Sequence, residues 1–178
     1  PIDSKVKDSE IKSVLQLNED FDLVPFSSYL GKKGMLHERF KLSYLGTTID
    51  HIQVVTHCLT NRMVSFNTNY MPLAFNTSVQ GALISQNSAK SIGLQHLNLS
   101  TSDLSQSESA NLVYLPTENQ YTLAYKCDLY SLAKGIRMNI YVDALSGTIL
   151  LEENRMHHVE SHNEGLTRYS GVRAIVTD

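Results

Sequence analysis

Along the first 70 residues, hydrophobic side chains recur first at helical spacing and then at every second position. Val6, Ile11, Val14 and Leu15 recur at near-helical spacing and predict a short amphipathic helix. The chain then begins extended before Pro25, because the residue before a proline is held out of the helical region. Beyond residue 35, apolar and polar side chains alternate, which predicts an antiparallel meander of three strands. The helix covers residues 5–18, and the strands cover residues 36–44, 49–59 and 63–70.

The second half repeats this order of elements. Ser85 is a candidate N-cap for a second helix over residues 86–94, and a polar loop follows over residues 97–110. Four strands come next. Asp143 and Gly147 join the last two in a hairpin, because an aspartate accepts bonds from the turn backbone and a glycine adopts positive φ. These strands cover residues 112–115, 121–130, 137–142 and 148–152.

Both halves therefore follow one plan, a helix and then a curled meander that can wrap it. We predict an α+β fold of two cystatin-like lobes, each a helix packed on a curled antiparallel sheet. The boundary is placed near Met71 and Pro72, where strong helix and strand signals are missing. The first lobe then covers residues 1–72, and the second covers residues 73–158.

Size and charge exclude two classes of function. At 178 residues the chain is long enough for one substantial core or two small ones. The net charge is -3, and the lysines and arginines are scattered rather than clustered, so we expect no nucleic acid partner. No run approaches the roughly 18 apolar residues that a membrane span requires, and a signal-peptide pattern is missing. We expect a soluble chain whose leader, if it is exported, is not in this sequence.

The two cysteines, Cys58 and Cys127, each fall within a predicted strand. They lack the Cys-x-x-Cys spacing that holds zinc. Two interpretations stay open: a pair of buried small hydrophobic side chains, or a disulfide that joins the two halves of the chain.

The short motifs of hydrolases and nucleotide-binding proteins are missing from the sequence. It has no Gly-x-Ser-x-Gly and no glycine-rich phosphate loop. His37 and Glu38 lie at the start of a predicted strand and are not followed by the second histidine of a zinc-binding helix. We predict no catalytic residue, no cofactor site and no metal site within these 178 residues.

A histidine-rich segment follows the last predicted strand. His157, His158 and His162 lie within six residues, and imidazoles are common metal ligands. The nearby acids, Glu153 and Glu160, lie on the same tail and do not supply the rigid frame of a closed site. Two interpretations stay open: the tail presents an imidazole to a metal held by another domain, or it is a solvated linker.

Two segments carry a family resemblance. The hairpin sequence Tyr-Val-Asp-Ala-x-Ser-Gly-x-Ile-Leu, which starts at Tyr141, is similar to a PepSY domain. The segment that starts with Leu-His-Glu-Arg-Phe-Lys-Leu-Ser-Tyr at Leu36 resembles the fungalysin/thermolysin propeptide domain. Nearly the whole chain thus resembles the proregion of secreted thermolysin-like zinc metallopeptidases. One departure is residues 47–51, which lack the glycines usual after the first strand of that family.

The resemblance implies a non-catalytic proregion that assists folding of its cognate metallopeptidase catalytic domain in cis and inhibits it until processing. Residues 159–178 would be a linker and the start of the mature enzyme. Thermolysin-like enzymes favour an apolar residue just after the scissile bond. We therefore predict cleavage between His158 and Val159, with the bond between Arg155 and Met156 as second choice. The inhibitory tail would consist of Asn154, Arg155, Met156, His157 and His158.

The resemblance also bears on cofactors and location. It implies zinc, with calcium as a further candidate, in the catalytic domain and not in this segment. It implies a bacterial protein that is secreted or extracellular. The alternative function is a free-standing secreted PepSY-type module that binds a partner or regulates a protease.

Overall fold

The computed structural model describes residues 4–60, 62–75, 83–105, 109–156, 162–167 and 171–176. These residues form two α-helices, α1 (Ser4–Leu15) and α2 (Gln86–His96), and eleven β-strands. The strands before α2 are β1 (Phe21–Leu30), β2 (Leu36–Tyr44), β3 (Thr47–Leu59), β4 (Arg62–Thr68) and β5 (Ala74–Phe75). The strands after α2 are β6 (Ala110–Pro116), β7 (Gln120–Ser131), β8 (Ile136–Asp143), β9 (Ile149–Asn154), β10 (His162–Thr167) and β11 (Gly171–Val176).

The prediction of two cystatin-like lobes, each a helix packed on its own sheet, is wrong. The described residues are mostly β, and nine of their strands form one mixed sheet. Its order is β1-β2-β3-β6-β7-β8-β9, with β4 paired to β3 and β5 paired to β7. Two of the pairings, β3 with β6 and β5 with β7, are parallel, and the others in this sheet are antiparallel. The two predicted meanders are therefore parts of one sheet.

A shared aromatic core explains the join. β3 and β6 meet at Ile49 and Tyr114. Phe75, on β5, stacks on Tyr44 of β2 at 3.9 Å between ring centroids and on Tyr121 of β7 at 4.7 Å. Packing these rings against strands from both halves removes more apolar surface from water than two separate sheets would. Hydrophobic periodicity predicts the faces of strands but not which edges pair, so it does not reveal this join.

The predicted elements themselves agree well with the structure. Ser85 caps α2 as predicted, since its Oγ accepts a hydrogen bond of 3.0 Å from the Ser88 amide. Gly93 lets α2 approach the sheet closely, because a Cβ at this position would lie 3.1 Å from Cδ1 of Leu129. The helix therefore packs against β7 with a small residue at the contact.

The predicted alternation along β3 is confirmed, since Ile52, Val54, Thr56 and Cys58 are buried. On β7 the predicted face is buried at Tyr121, Leu123, Cys127 and Leu129, but Tyr125 of that face is only partly buried, and Thr122 and Ala124 of the other face are buried as well. Cys58 and Cys127 are both buried and form no disulfide, so the interpretation as two buried small side chains is confirmed.

The predicted hairpin is also confirmed. Asp143 Oδ1 accepts hydrogen bonds from the amides of Leu145 and Ser146, at 2.8 and 2.7 Å, and Gly147 adopts a φ of +75°. β1 was predicted only to begin extended, but it is a full strand that buries Phe21 and Leu23. In the part of the chain that the structure describes, no helix has the length and apolar character needed to cross a membrane.

Candidate functional site

The predicted inhibitory tail begins while the chain is still attached to the sheet. Asn154 is the last residue of β9, and the Arg155 amide donates a hydrogen bond of 2.8 Å to the carbonyl of Arg137 on β8. The Met156 amide donates to Oδ1 of Asn154, also at 2.8 Å. The Arg155 amide is thus held by the sheet, and the Met156 amide is held by a side chain of β9. His157, His158 and Val159, with the predicted cleavage site, lie outside the described residues.

Beyond this point two strands form a separate hairpin. β10 and β11 pair antiparallel with each other, from His162 opposite Val176 to Thr167 opposite Gly171. Among the described strands they pair with no member of the nine-stranded sheet. The chain therefore leaves one sheet near Arg155 and enters another at His162.

A strained residue in β3 creates the most unusual polar site of the described chain. His51 has a φ of +62°, which is rare for a residue with a side chain and is disfavoured by roughly 1–2 kcal/mol. Nearby bonds hold this conformation, since Asn69 Nδ2 donates to the His51 carbonyl at 2.6 Å. Adjacent residues of a regular strand point to opposite faces. Here Asp50 and His51 both contact Tyr141 of β8, so the irregular backbone brings two consecutive side chains to one place.

The register between β2 and β3 shifts at this point, between Lys41 and Ser43, as at a β-bulge. The resulting polar cluster links β3 to β7, β8 and β9, and we call it the bulge cluster. It consists of Asp50, His51, Lys126, Asn139, Tyr141 and Glu153. At its centre the Tyr141 hydroxyl lies 2.8 Å from Asp50 Oδ2, 2.9 Å from Glu153 Oε2 and 3.1 Å from His51 Nε2. Lys126 Nζ lies 2.7 Å from Asp50 Oδ2. Asn139 Nδ2 donates to Glu153 Oε2 at 3.1 Å.

The cluster lies on the face of the sheet opposite α2. Tyr141 alternates along β8 with Ile140 and Val142, which belong to the core under the helix. Tyr141 is nevertheless fully buried, because Val113, Leu115 and Ala124 pack around its ring. A buried phenol needs a partner for its hydroxyl, and two carboxylates provide it.

Hydrogen bonding decides the ionisation of the two acids. Burial alone would raise the pKa of Asp50, but the hydrogen bonds from Lys126 and Tyr141 outweigh it and lower that pKa. Burial likewise opposes ionisation of Glu153, whose pKa is lowered by the bonds from Asn139 and Tyr141. Burial, followed by the two neighbouring carboxylates, strongly raises the pKa of Tyr141. The phenol therefore stays neutral and cannot serve as a base or a nucleophile.

A polar cleft of about 340 Å³ adjoins the bulge cluster. Asp50, Lys126 and Asn139 form part of its wall, together with Asp128 and Arg155. Asp128 Oδ1 is buried and has no hydrogen-bond partner among the described residues. Because Arg155 belongs to the predicted tail, the cleft places the base of that tail beside the cluster.

A second pair of titratable side chains faces across β2 and β3. Nδ1 of His37 lies 2.7 Å from Nδ1 of His57, and Tyr29 stacks on His37 at 4.6 Å. Asn67 Nδ2 lies 3.1 Å from the other ring nitrogen of His57. His37 and Glu38 thus lie in a strand, as predicted. In the described ranges no group of three or more His, Cys, Asp and Glu side chains is arranged to hold a metal.

Sequence reasoning missed the bulge cluster, although one signal pointed to it. Residues 47–51 contain no glycine. The structure places His51 of this segment in the left-handed region that glycine favours. A non-glycine residue in such a segment marks a conformation stabilised by its surroundings. Hydrophobic periodicity could not indicate which side chains form these surroundings.

Comparisons with known proteins give no family for this chain. No family model and no curated protein matches it. Among solved structures it is similar to a protein from Clostridium difficile 630 described as a "putative lipoprotein". That similarity has 14% sequence identity and a TM-score of 0.31, and it covers 83% of this chain and 89% of that one.

Proposed function

We propose that this chain is the proregion of a secreted, bacterial, thermolysin-like zinc metalloendopeptidase. It would act as an intramolecular chaperone and as an autoinhibitor, and (auto)proteolysis between His158 and Val159 would remove it. The observation that carries the proposal is the change of sheet between Arg155 and His162. It falls where the sequence resembles the end of a proregion and the start of a mature protease. The proposal does not depend on two separate lobes.

The backbone at Arg155 favours the first of the two predicted cleavage sites. A protease binds its substrate as an extended segment that has left its own secondary structure. The Arg155 and Met156 amides are both engaged in hydrogen bonds at 2.8 Å, so cutting between these residues requires local unfolding of β9. Val159 follows Met156 by three residues in the sequence, and we propose the cut before Val159.

Inhibition would follow from the covalent tether. A segment attached to its target has an effective concentration in the millimolar range, so weak contacts of residues 154–158 with a cleft suffice to occupy it. Most of the affinity would come from the body of the proregion, for which an interface of about 1,600 Å² is typical. His157 and the new carboxylate of His158 are metal-ligating groups that can keep the tail in the cleft after the cut.

The first test is the precursor itself. The proposal expects a His-Glu-x-x-His motif further along the reading frame and a mature enzyme whose N-terminus is Val159. A precursor without that motif favours the free-standing secreted PepSY-type module instead. A mature N-terminus at neither Val159 nor Met156 contradicts the specificity argument.

The second test concerns the tail. The separately prepared proregion, ending at His158, should inhibit the mature enzyme and should restore activity to enzyme refolded from denaturant. Replacing His157 and His158 together by alanine should weaken inhibition without changing the stability of the proregion. Unchanged inhibition by this double variant rules out the proposed role of the histidines.

A further inference from the structure

The polar cleft beside the bulge cluster lies on the face of the sheet opposite α2. On β7, Cys127 and Leu129 belong to the core under that helix, so their neighbours Lys126 and Asp128 point to the other face. Asp128 lies directly opposite Asn139 of β8, which also lines the cleft. The floor of the cleft is therefore regular sheet, which holds polar side chains at fixed spacings.

Two positive charges in the cleft have no counter-charge among the described residues. Lys126 Nζ is paired with Asp50 Oδ2 at 2.7 Å. Lys41 and Arg155 also line the cleft, but neither forms an ion pair with a described residue. Lys41 Nζ instead lies 5.7 Å from the ring centroid of Phe26. Two such cations favour a ligand that carries an anionic group.

The cleft also contains an acceptor without a donor. Asp128 Oδ1 is buried, and of the described residues it is the only buried side-chain oxygen or nitrogen that lacks a hydrogen-bond partner. The Asp128 amide, by contrast, donates to the Ser109 carbonyl at 3.1 Å. Buried polar groups normally have a partner, and a charged one left unpaired costs free energy. A ligand with an ammonium group supplies the donor that is missing.

Charge and size narrow the class of ligand. Three positive and three negative side chains line or adjoin the cleft, and they are Lys41, Lys126, Arg155, Asp50, Asp128 and Glu153. These charges cancel, so a ligand with no net charge fits better than an anion or a cation. The volume of about 340 Å³ is at the small end of the roughly 300–1,000 Å³ of small-molecule sites. Only two apolar residues, Leu112 and Val113, are among those that line it, so the ligand is small and polar.

We propose that this cleft is a binding site for an amino acid zwitterion, either a free amino acid or a very short peptide. The ammonium group of the ligand donates to Asp128 Oδ1, and its carboxylate is bound by Arg155 and Lys41. Binding here does not require the proposed function, and it can be measured on the 178-residue chain alone.

A ligand series on the unsubstituted chain tests both charges. L-Alanine and L-alanyl-L-alanine carry both charged groups, whereas N-acetyl-L-alanine lacks the ammonium group and L-alanine methyl ester lacks the carboxylate. Binding is followed at neutral pH by the backbone amide NMR shifts of Asn111, Asp128 and Asn139. We expect saturable shifts with a dissociation constant of about 1 mM for at least one zwitterion, and binding of both controls that is weaker by at least about tenfold.

Each probe has a result that decides the proposal. The tighter of alanine and alanylalanine identifies the source of the ligand. N-acetylalanine that binds as tightly as alanine indicates a simple anion site, and a methyl ester that binds as tightly indicates a simple cation site. Either result overturns the proposal, as does an absence of saturable shifts with both zwitterions up to about 50 mM.

Arg155→Met tests the carboxylate partner. It should weaken binding of the zwitterion by at least about tenfold, because it removes a guanidinium that binds the carboxylate. Arg137→Met is the matched control, since Arg137 lies on the neighbouring strand β8 but stacks on Tyr130 at 5.6 Å and is not among the residues that line the cleft. Equal weakening by the two variants contradicts the role of Arg155.

Asp128→Asn separates a binding role from a structural one. It removes the negative charge but keeps the shape of the side chain, so the affinity for the zwitterion should fall by at least about tenfold. Because the Asp128 Oδ1 atom has no partner to lose among the described residues, the midpoint of urea unfolding without ligand should stay the same or rise. Unchanged affinity refutes the role of Asp128, and a lower midpoint contradicts the missing partner on which that role rests. If the variant does not fold, the ligand series on the unsubstituted chain decides.

Discussion

Removing the Tyr141 hydroxyl should destabilise the fold more than removing any ordinary buried phenol oxygen. Tyr141→Phe keeps the ring among Val113, Leu115 and Ala124 but deletes the group that lies within 2.9 Å of both carboxylates. A hydrogen bond to a charged group contributes about 1.5–3 kcal/mol. Each carboxylate keeps another donor, Lys126 for Asp50 and Asn139 for Glu153, so neither is left without a partner. We therefore expect a loss of about 2–3 kcal/mol in the free energy of unfolding.

Tyr121→Phe provides the comparison. Both phenols are fully buried, but the Tyr121 hydroxyl donates to a neutral group, the Met71 carbonyl, at 2.6 Å. Burial raises the pKa of Tyr121 to about 12, so this hydroxyl also stays protonated. Loss of the Tyr121 hydroxyl should lower the free energy of unfolding by about 1 kcal/mol. Equilibrium urea unfolding at pH 7 measures both variants, with an unchanged m-value as the sign that unfolding exposes the same surface. The reasoning is refuted if Tyr141→Phe costs no more than Tyr121→Phe.

Two other predictions use the same assay. Lys126→Met should lower the free energy of unfolding by about 2 kcal/mol, because the partly buried Asp50 charge then lacks its lysine partner. Lys12→Met is the comparison, since Lys12 lies 3.7 Å from an exposed Asp22, and its loss should cost less than about 0.5 kcal/mol. Equal costs would show that the Lys126 pair is no better than a surface pair. Gly147→Ala should cost more than Gly135→Ala, since both have positive φ but only the added Cβ at 147 meets another side chain, Ile92 Cδ1 at 3.1 Å. A larger cost at Gly135 would contradict the packing argument.

Local structure was predictable because local chemistry determines it. The Ser85 cap, the alternation along β3 and the turn at Asp143 and Gly147 each depend on residues within a few positions of one another. The strand β1 was harder to predict, because beyond Leu23 it is largely exposed and shows little alternation. Pro25 also breaks its pattern, and the β1–β2 register shifts next to it.

The arrangement of the whole sheet was not predictable in the same way. It depends on Phe75, which lies on a strand of two residues and stacks between Tyr44 and Tyr121. A strand this short has no period, so its pairing partner cannot be inferred from the sequence around it. Without that strand, the two meanders look like two independent units. The error in the predicted fold therefore lies in the connection between the halves and in the two strands that were not predicted, β1 and β5.

The single sheet changes how the tail can be controlled. If the chain formed two separate lobes, only residues of the second lobe could hold the tail of residues 154–158. In one sheet, Asp50 and His51 of β3 reach Tyr141 of β8 and Glu153 of β9, so the first half of the chain contributes to the hold on the tail. The aromatic core and the bulge cluster join the same two halves from opposite faces of the sheet. Loosening either connection should therefore loosen β9, whose last backbone bond, from Arg155 to Arg137, lies beside the segment proposed to occupy the enzyme.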